Sequence, residues 1–273
     1  MPSNPVSLLR CPLCHAPLQA DAAGAACGNR HRFDRAREGY LNLLPAQHKN
    51  SLHPGDDAAM VSARRDFLEG NHYAPLRNLL LELIAPLQPT LLLDCGCGEG
   101  WYTSALSKAA AATVALDISK DAVKRAAKRD RAITWLVASS GAMPLLDERA
   151  DVMVAIFSPI DVAEAARVLR PDGSLFVVAP NAGHLWDLRA ALYSDVRNHR
   201  PESWLTDVSP RFMLHHETNL RLPITLRNNA AVKSLLRMTP YFWRASRDRR
   251  TQVESLDTLS TQADFRIFQF RKR

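Results

Sequence analysis

The sequence of 273 residues lacks any apolar run close to the roughly 18 residues that a membrane-spanning helix requires. Its N-terminus also lacks a basic region followed by an apolar core, so no secretory signal is predicted and a cytoplasmic protein is expected. It contains no internal repeat and no long low-complexity tract. Because 47% of the residues are hydrophobic, the chain can bury a core, and its length allows one ordinary domain plus a small one.

Cysteine is scarce, yet three of the five cysteines fall in one short N-terminal segment. Cys11 and Cys14 form a CxxC pair, and Cys27 is followed by His31 in a CxxxH arrangement. Three thiolates and one imidazole suit tetrahedral zinc, which would supply folding energy to a segment too short to bury a core. A redox dithiol or a disulfide is the alternative, disfavoured by the four-ligand spacing and the expected compartment. His15 is a poor competing ligand, because adjacent side chains diverge.

A glycine-rich stretch, Asp94 to Gly100, follows an apolar run and precedes a helix-like run. Gly96 and Gly98 would let the backbone turn tightly and approach a ligand that a Cβ would block. Asp117 ends the next apolar run, about where a ribose-binding acid is expected. The alternative to a cofactor-binding loop is an ordinary strand-turn-helix connection in another α/β protein. The GxGxG spacing resembles the first motif of class I S-adenosylmethionine (AdoMet) methyltransferases and favours AdoMet over NAD as the cofactor.

The segments of the chain alternate between strand and helix patterns, which predicts an α/β fold with a parallel sheet covered on both faces. Strands are predicted at 90–94, 113–117, 133–138, 151–157 and 174–179, and helices at 58–71, 73–87, 101–111, 119–129, 161–169 and 184–194. A turn is predicted at Pro171 to Gly173, and a half-exposed, antiparallel last strand near Phe265 to Arg271. The expected division is a zinc-binding domain at 1–45, a linker with helices at 46–89, and an AdoMet-dependent methyltransferase domain at 90–273.

The positive charge is concentrated in the last third of the chain. The formal net charge is +7, and residues 181–273 alone contain 16 Lys and Arg against 9 Asp and Glu. The densest clusters are Arg247 to Arg250 and Arg271 to Arg273. A localised basic region favours a polyanionic partner such as RNA or DNA, although a solvated basic surface would look the same.

Several motifs together resemble the 23S ribosomal RNA (guanine-N1)-methyltransferases, over nearly the whole chain. They are Cys11-Pro12-Leu13-Cys14 with Cys27 and His31, the stretch Phe33 to Leu44, Pro54-Gly55-Asp56, Ala63 to Leu68, His72-Tyr73, the glycine loop, Ala138-Ser139-Ser140, and Met238-Thr239-Pro240 with Trp243-Arg244. The resemblance implies a Rossmann-like methyltransferase with a small N-terminal zinc domain that contributes to RNA recognition. It further implies methyl transfer from AdoMet to N1 of a guanine in a 23S rRNA hairpin loop, and a homodimer.

The same resemblance implies which residues of this chain bind zinc and AdoMet. It implies that Cys11, Cys14, Cys27 and His31 bind one zinc ion, and that Tyr73, Gly98, Glu99 and His184 contact AdoMet. Cys95, Trp101 and the stretch Phe157 to Ile160 depart from the family pattern. The resemblance therefore defines the class of enzyme but not the details of the pocket for the target base. Without the resemblance, Cys95 and Cys97 are interpreted as small apolar fillers.

The residues that follow the fourth predicted strand are expected to meet the acceptor. The Asn/Asp-Pro-Pro-aromatic motif of exocyclic amine methylation is missing there, which is consistent with a ring-nitrogen target. Asp161 could accept a proton but is interpreted as a helix N-cap, so no catalytic residue is assigned. Tyr241 to Arg244 and Arg247 could stack on RNA bases or pack in a core. Two other functions remain open from the residues: methylation of a small molecule with a purely structural zinc domain, and RNA binding without catalysis.

Overall fold

The computed structural model describes residues 5–45, 56–196 and 205–273, so the first part of the predicted linker, 46–55, lies outside the described residues. In chain order the elements are β1 (Leu18–Ala20), β2 (Gly24–Cys27), β3 (Arg32–Asp34), β4 (Leu41–Asn42), α1 (Ala58–Glu69), α2 (Ala74–Ile84), β5 (Leu91–Cys95), α3 (Thr103–Leu106), β6 (Ala112–Asp117), α4 (Lys120–Arg129), β7 (Thr134–Val137), β8 (Ala150–Ile156), α5 (Val162–Val168), β9 (Leu169–Pro180), α6 (Trp186–Leu192), α7 (Leu205–Val208), β10 (Phe212–Leu226), α8 (Asn229–Arg237), α9 (Tyr241–Arg244), α10 (Arg247–Glu254) and β11 (Leu259–Lys272). None of these helices is long and apolar enough to cross a bilayer.

Eight strands form the central sheet, in the order β10-β11-β9-β8-β5-β6-β7-β4. The strands from β9 to β4 are parallel, and β11 runs antiparallel to β9 and β10. The strand order reverses at β5, because the chain proceeds to β6 and β7 on one side and then to β8 and β9 on the other. In open α/β sheets ligands bind outside the carboxyl ends of the strands at such a reversal. The expected class I methyltransferase fold is therefore present, and its topology places a binding crevice beyond β5 and β8.

The two faces of the sheet bury separate cores. Leu92 of β5 points into a core formed with α1, α2, α6, α8 and α10, whereas its neighbours Leu91 and Leu93 point into the opposite core. This alternation is the period of two that places successive strand side chains on opposite faces. A continuous apolar strand such as β5 is thus explained by burial on both sides.

The cysteine-bearing N-terminal segment is one of the layers on the second face of the sheet. Its three-stranded sheet β1-β2-β3 stands apart in hydrogen bonding, but Val6, Leu9 and Leu18 share a core with residues of β5, β6 and β7. The backbone N–H of Arg10 donates to the Pro144 carbonyl at 3.2 Å, and β4 pairs with β7 as the edge strand of the large sheet. The small segment therefore forms its own three-stranded sheet and also packs against the large sheet.

The predicted strands and helices of residues 58–194 are present, with shifted ends. The predicted helix at 101–111 is shorter, because α3 continues only as a 3-10 turn at Ser107–Ala109. The turn predicted at Pro171 to Gly173 is wrong: these residues form an irregularity within β9, where the register against β8 shifts and Asp172 has φ +60°. The last strand is antiparallel as predicted, but it is largely buried because its side chains enter the cores on both faces of the sheet.

Candidate active site and zinc cluster

Glycine is required at the loop that follows β5. Gly96 has φ +80° and Gly98 has φ +54°, in the left-handed region where a Cβ is disfavoured. A Cβ on Gly96 would also overlap the hydroxyl of Ser158, which lies beyond the end of the adjacent strand β8. The loop after β5 and the loop after β8 therefore approach each other so closely that only glycine fits at position 96.

Asp117 ties the glycine loop to the end of β6. One carboxylate oxygen accepts a hydrogen bond from the backbone N–H of Gly98 at 2.9 Å, and the other accepts from Ser119 N–H at 2.8 Å. Burial raises the pKa of the Asp117 carboxyl, while the two backbone donors act in the opposite direction. The side chain is held in one orientation at the position expected of a ribose-binding acid.

Asp94, at the penultimate position of β5, is almost fully buried beneath the same loop. Its Oδ2 accepts from the Thr103 hydroxyl at 2.6 Å, whereas its Oδ1 has no hydrogen-bond partner among the described residues. Burial raises the pKa of Asp94 to about 7, more than the Thr103 hydroxyl lowers it, and the nearby Asp117 adds to the rise. One oxygen of this buried acid is therefore left unsatisfied beneath the glycine loop.

A cavity of about 890 Å³ opens at the reversal of strand order. All six residues predicted to bind the cofactor line it: Tyr73, Gly96, Gly98, Glu99, Asp117 and His184. Its remaining walls come from distant parts of the chain. They include Asp56 before α1, Arg64 within α1, Phe157 to Ile160 after β8, and Met238 to Tyr241 from the end of α8 to the start of α9. The volume lies within the roughly 300–1,000 Å³ of small-molecule sites.

One wall of this cavity is aromatic. Tyr73 packs edge-to-face against Phe265 at 5.0 Å between ring centroids, and His184 lies 5.0 Å from the same ring. The Nδ1 of His184 accepts a hydrogen bond from the backbone N–H of Asp264 at 3.2 Å, which fixes the orientation of the imidazole. Phe157 completes the group, 5.3 Å from Phe265, and is the exposed member.

Asp161, which the sequence left as either a proton acceptor or a helix cap, caps α5. Its Oδ1 accepts from the backbone N–H of Glu164 at 2.9 Å, the bond that an N-cap aspartate makes. The carboxylate is thus engaged at the helix start, and it is not among the residues that line the cavity. The interpretation of Asp161 as a cap is confirmed.

The three N-terminal cysteines and His31 converge on one point. Their ligand atoms all lie within 4.8 Å of one another. The Sγ atoms of Cys14 and Cys27 are 3.7 Å apart, and His31 Nδ1 lies 3.5 Å from the Sγ atoms of both Cys11 and Cys27. A tetrahedral zinc ion with bonds of about 2.3 Å to sulfur and about 2.1 Å to nitrogen requires edges of roughly 3.8 Å and 3.6 Å. The donor set and its spacing fit zinc.

Two thiols of the cluster are shifted in opposite directions: burial raises the pKa of Cys11, whereas hydrogen bonds lower that of Cys14. The backbone N–H of Ala16 and the Asn29 side chain hydrogen-bond to Cys14 and lower the pKa of its thiol to about 6. A thiolate is the form that binds metal. The exposed His15 is not part of the group of four residues, as expected from its adjacency to Cys14.

Comparisons with known proteins agree with both sites. Residues 9–52 match the zinc-ribbon family described as RlmA, N-terminal, and residues 93–177 match the family described as methyltransferase domain. A 23S rRNA (guanine(748)-N(1))-methyltransferase of Streptomyces fradiae is 34% identical, covering 91% of this chain and 90% of that protein. YxjB of Bacillus subtilis, provisionally named a 23S rRNA (guanine-N(1)-)-methyltransferase, is 34% identical over 96% of both chains. The chain belongs to the 23S rRNA (guanine-N1)-methyltransferase family.

The fold of this guanine-N1 methyltransferase family member is also that of a solved structure. A Bacillus halodurans protein, BH2331, described as a methyltransferase, superposes with a TM-score of 0.50 at 18% identity, covering 71% of this chain and 97% of that one. The methyltransferase domain uses AdoMet, and the geometry fits it: Gly96 and Gly98 present no Cβ to the cavity, and Asp117 lies at the end of the next strand. The zinc-ribbon segment, which matches the other family model, contains the Cys3His cluster.

Glu99 of this methyltransferase is held by an arginine that sequence reasoning did not identify. Its Oε2 accepts from Arg129, at the end of α4, at 2.7 Å, and the same guanidinium contacts Glu69 of α1 at 2.6 Å. Burial raises the pKa of Glu99, and Arg129 opposes that rise. Arg129 therefore joins the glycine loop to the helix that covers the cavity.

Arg64 was also missed as a site residue. Its guanidinium pairs with Asp56, donates to the carbonyl of Met238 at 3.4 Å, and lies 3.9 Å from the position a Cβ would take on Gly98. It thereby bridges α1, the glycine loop and the segment after α8. The segments around Asp56, Arg64 and Met238 were visible in the sequence only as family-like motifs, because nothing local indicates that they meet.

Proposed function

We propose that this chain transfers the methyl group of AdoMet to N1 of a guanine in a hairpin loop of 23S rRNA. The observation that carries the proposal is the single cavity that joins the glycine loop to an aromatic and apolar wall after β8. A cofactor site open to such a wall suits a flat acceptor ring. The acceptor is taken from the relatives, two of which are named for guanine-N1 methylation of 23S rRNA over more than 90% of this chain.

The chain's contribution to the reaction is mainly alignment. When bound, AdoMet supplies an activated sulfonium methyl group, so holding donor and acceptor in line provides most of the acceleration. Tyr73, Gly96, Gly98, Glu99, Asp117 and His184 would hold the cofactor. Gly96 and Gly98 let the backbone approach it closely, and Asp117 offers carboxylate oxygens to hydroxyl groups.

The proton on guanine N1 must leave, and the carboxylates that line the described cavity are already engaged. Asp56 pairs with Arg64, Glu99 pairs with Arg129, and Asp117 accepts two backbone hydrogen bonds. None of the three is therefore arranged as a general base. We infer that the proton passes to solvent on the exposed side of the loop after β8, and that no carboxylate is the catalytic residue.

RNA would meet the basic C-terminal third of the chain beside the cavity. Tyr241 is buried and serves the core, but Trp243, two residues along α9, is 58% exposed. Arg250 lies over the Phe242 ring at 4.9 Å, and Arg247 is exposed at the start of α10. Exposed aromatics next to arginines stack on unpaired bases and neutralise phosphates.

The remaining assignments form part of the same proposal. Cys11, Cys14, Cys27 and His31 would bind one structural zinc ion, within an N-terminal zinc domain at 1–45 that contributes to RNA recognition. Residues 46–89 would connect it to a methyltransferase domain at 90–273. A homodimer is expected from the family resemblance, and a cytoplasmic location from a ribosomal RNA substrate.

The test is transfer of tritium from labelled AdoMet to purified 23S rRNA, with small-molecule amines and phenols as competing acceptors. We expect label in rRNA, blocked by unlabelled S-adenosylhomocysteine, and none in the small molecules. Label only in small molecules would favour a small-molecule methyltransferase. Absence of AdoMet binding by calorimetry would favour an RNA-binding protein without catalysis.

A further inference from the structure

Phe157 has a backbone conformation that its side chain disfavours. It follows β8 with φ +55°, in the left-handed region that a bulky residue rarely adopts and that usually selects glycine. Its backbone N–H donates to the carbonyl of Val178 at 3.0 Å, which holds the strained residue in place. Strain of this kind persists only where the surroundings enforce it, and it concentrates at functional sites.

The consequence of this conformation is that the ring faces the cavity and remains accessible. Phe157 is 42% exposed, whereas Tyr73, His184 and Phe265 of the same aromatic group are buried. Its ring lies 6.3 Å from Tyr73 and 6.5 Å from His184, so the group supports one side of it. Among the large exposed hydrophobic residues of the described chain, Phe157 alone lines the cavity.

The position of this ring is fixed relative to the cofactor loop. Ser158, the next residue, occupies the space that a Cβ on Gly96 would need. Phe157 is therefore the chain neighbour of the residue that packs most tightly against the glycine loop. A flat group lying on the exposed side of Phe157 would be adjacent to the site of the donor.

We propose that Phe157 is the stacking residue for the target guanine, whose ring lies against the exposed face of the phenyl group during methyl transfer. The inference rests on the function proposed above. A guanine must leave its own stack to present N1, and aromatic side chains are the usual replacement for the neighbours it leaves behind. A core role would bury the ring, and a merely exposed surface aromatic would not require a strained backbone.

Steady-state kinetics with 23S rRNA and AdoMet test the proposal in a set of Phe157 variants. Phe157→Leu retains apolar bulk but loses the aromatic face, and we expect kcat/KM for rRNA to fall about 10- to 100-fold, the range of base–aromatic stacking. Phe157→Tyr should retain activity within about threefold. AdoMet affinity, measured by calorimetry, should remain within about twofold in both variants, because the residues that hold the cofactor are unchanged.

A glycine variant separates stacking from the shape of the loop. Glycine adopts a left-handed backbone freely, so Phe157→Gly should retain the loop path and still lose rRNA methylation. Met213→Ala is the matched control, since Met213 is 48% exposed on β10 and does not line the cavity. It should retain wild-type kinetics.

Two results would overturn the inference while leaving the function intact. One is a Phe157→Leu enzyme with wild-type kcat/KM for rRNA. The other is a parallel loss of AdoMet affinity and rRNA methylation, which would make Phe157 a cofactor or folding residue. Failure of the wild-type enzyme to methylate rRNA would instead refute the proposed function and, with it, this inference.

Discussion

Asp94 is buried beneath the glycine loop with one carboxylate oxygen unsatisfied, and its pKa is about 7 rather than the ordinary 3.8. An acid whose pKa is higher in the folded chain than in the unfolded chain binds more protons when folded. Its contribution to stability is therefore present at low pH and is lost as pH rises from about 4 to about 7. The ionised carboxylate therefore lowers the stability of the folded chain at neutral pH.

We therefore expect Asp94→Asn to weaken the pH dependence of stability. The amide oxygen can still accept from Thr103, but nothing ionises, so the fall in the free energy of unfolding between pH 5 and pH 8 should be smaller by roughly 1–3 kcal/mol. Urea unfolding at several pH values measures it. The exposed Asp187→Asn should leave the wild-type slope, and an Asp94→Asn slope equal to the wild type would contradict the assignment.

Individual residues were predictable where their signal is local. The cluster of three cysteines and His31 follows from spacing within 21 residues, and Gly96, Gly98 and Asp117 follow from a strand-turn-helix pattern. Arg64 and Arg129 were not predictable, because their partners lie on elements far away in sequence. The left-handed backbone of Phe157 was also invisible, since nothing in the residue type indicates it.

At the level of the element, the glycine loop depends on its contact with the loop after β8. Gly96→Ala would place a methyl group against Ser158 and force a non-glycine residue to φ +80°. We expect at least a tenfold loss of AdoMet affinity, since about 1.4 kcal/mol of strain in the binding loop suffices for that factor. Calorimetric titration measures it.

Gly28→Ala is the matched control for the loop variant. A Cβ there meets nothing within 4 Å, so AdoMet affinity should equal that of the wild type. A Gly96→Ala protein with unchanged affinity would show that the two loops separate without cost, contrary to the site described.

The zinc ribbon is expected to unfold without its metal and to weaken the sheet that it covers. Cys11→Ser should reduce bound zinc from about one per chain to near zero, measured by atomic absorption, and should lower the melting temperature, because the metal supplies the folding energy of such a small segment. His15→Ala should retain the zinc. Full zinc in the Cys11→Ser protein would contradict the ligand set.

Strands and helices between residues 58 and 194 were predictable because alternating buried strands and amphipathic helices have strong local patterns. β10 was missed, although its second half alternates, with Leu222, Ile224 and Leu226 turned inward between exposed residues. Its first half is mostly exposed, and a proline within the run argues against a central strand. Its neighbour β11 was placed correctly at the C-terminus, but its burial depends on the cores on both faces of the sheet and could not be inferred from its own residues. The packing of the ribbon on the sheet likewise depends on contacts between distant segments.

For the whole molecule, the positive charge concentrated in residues 181–273 is expected to govern the affinity for RNA. Arg247→Gln with Arg249→Gln removes two exposed charges of α10 and should weaken binding of an rRNA fragment. It should also reduce the slope of log K against log salt by about 0.7 for each phosphate that is no longer neutralised. Arg131→Gln with Arg149→Gln removes two exposed arginines outside the C-terminal third and should change neither quantity. Equal salt slopes in both double variants would place the RNA elsewhere.

Methylation of guanine N1 in 23S rRNA can be detected by primer extension. N1 methylation blocks base pairing, so reverse transcriptase stops next to the modified base. After incubation of unmodified 23S rRNA with the enzyme and AdoMet, we expect one new stop at a guanine in a hairpin loop, absent when AdoMet is omitted. Incorporation of labelled methyl groups into the rRNA without any such stop would contradict the account.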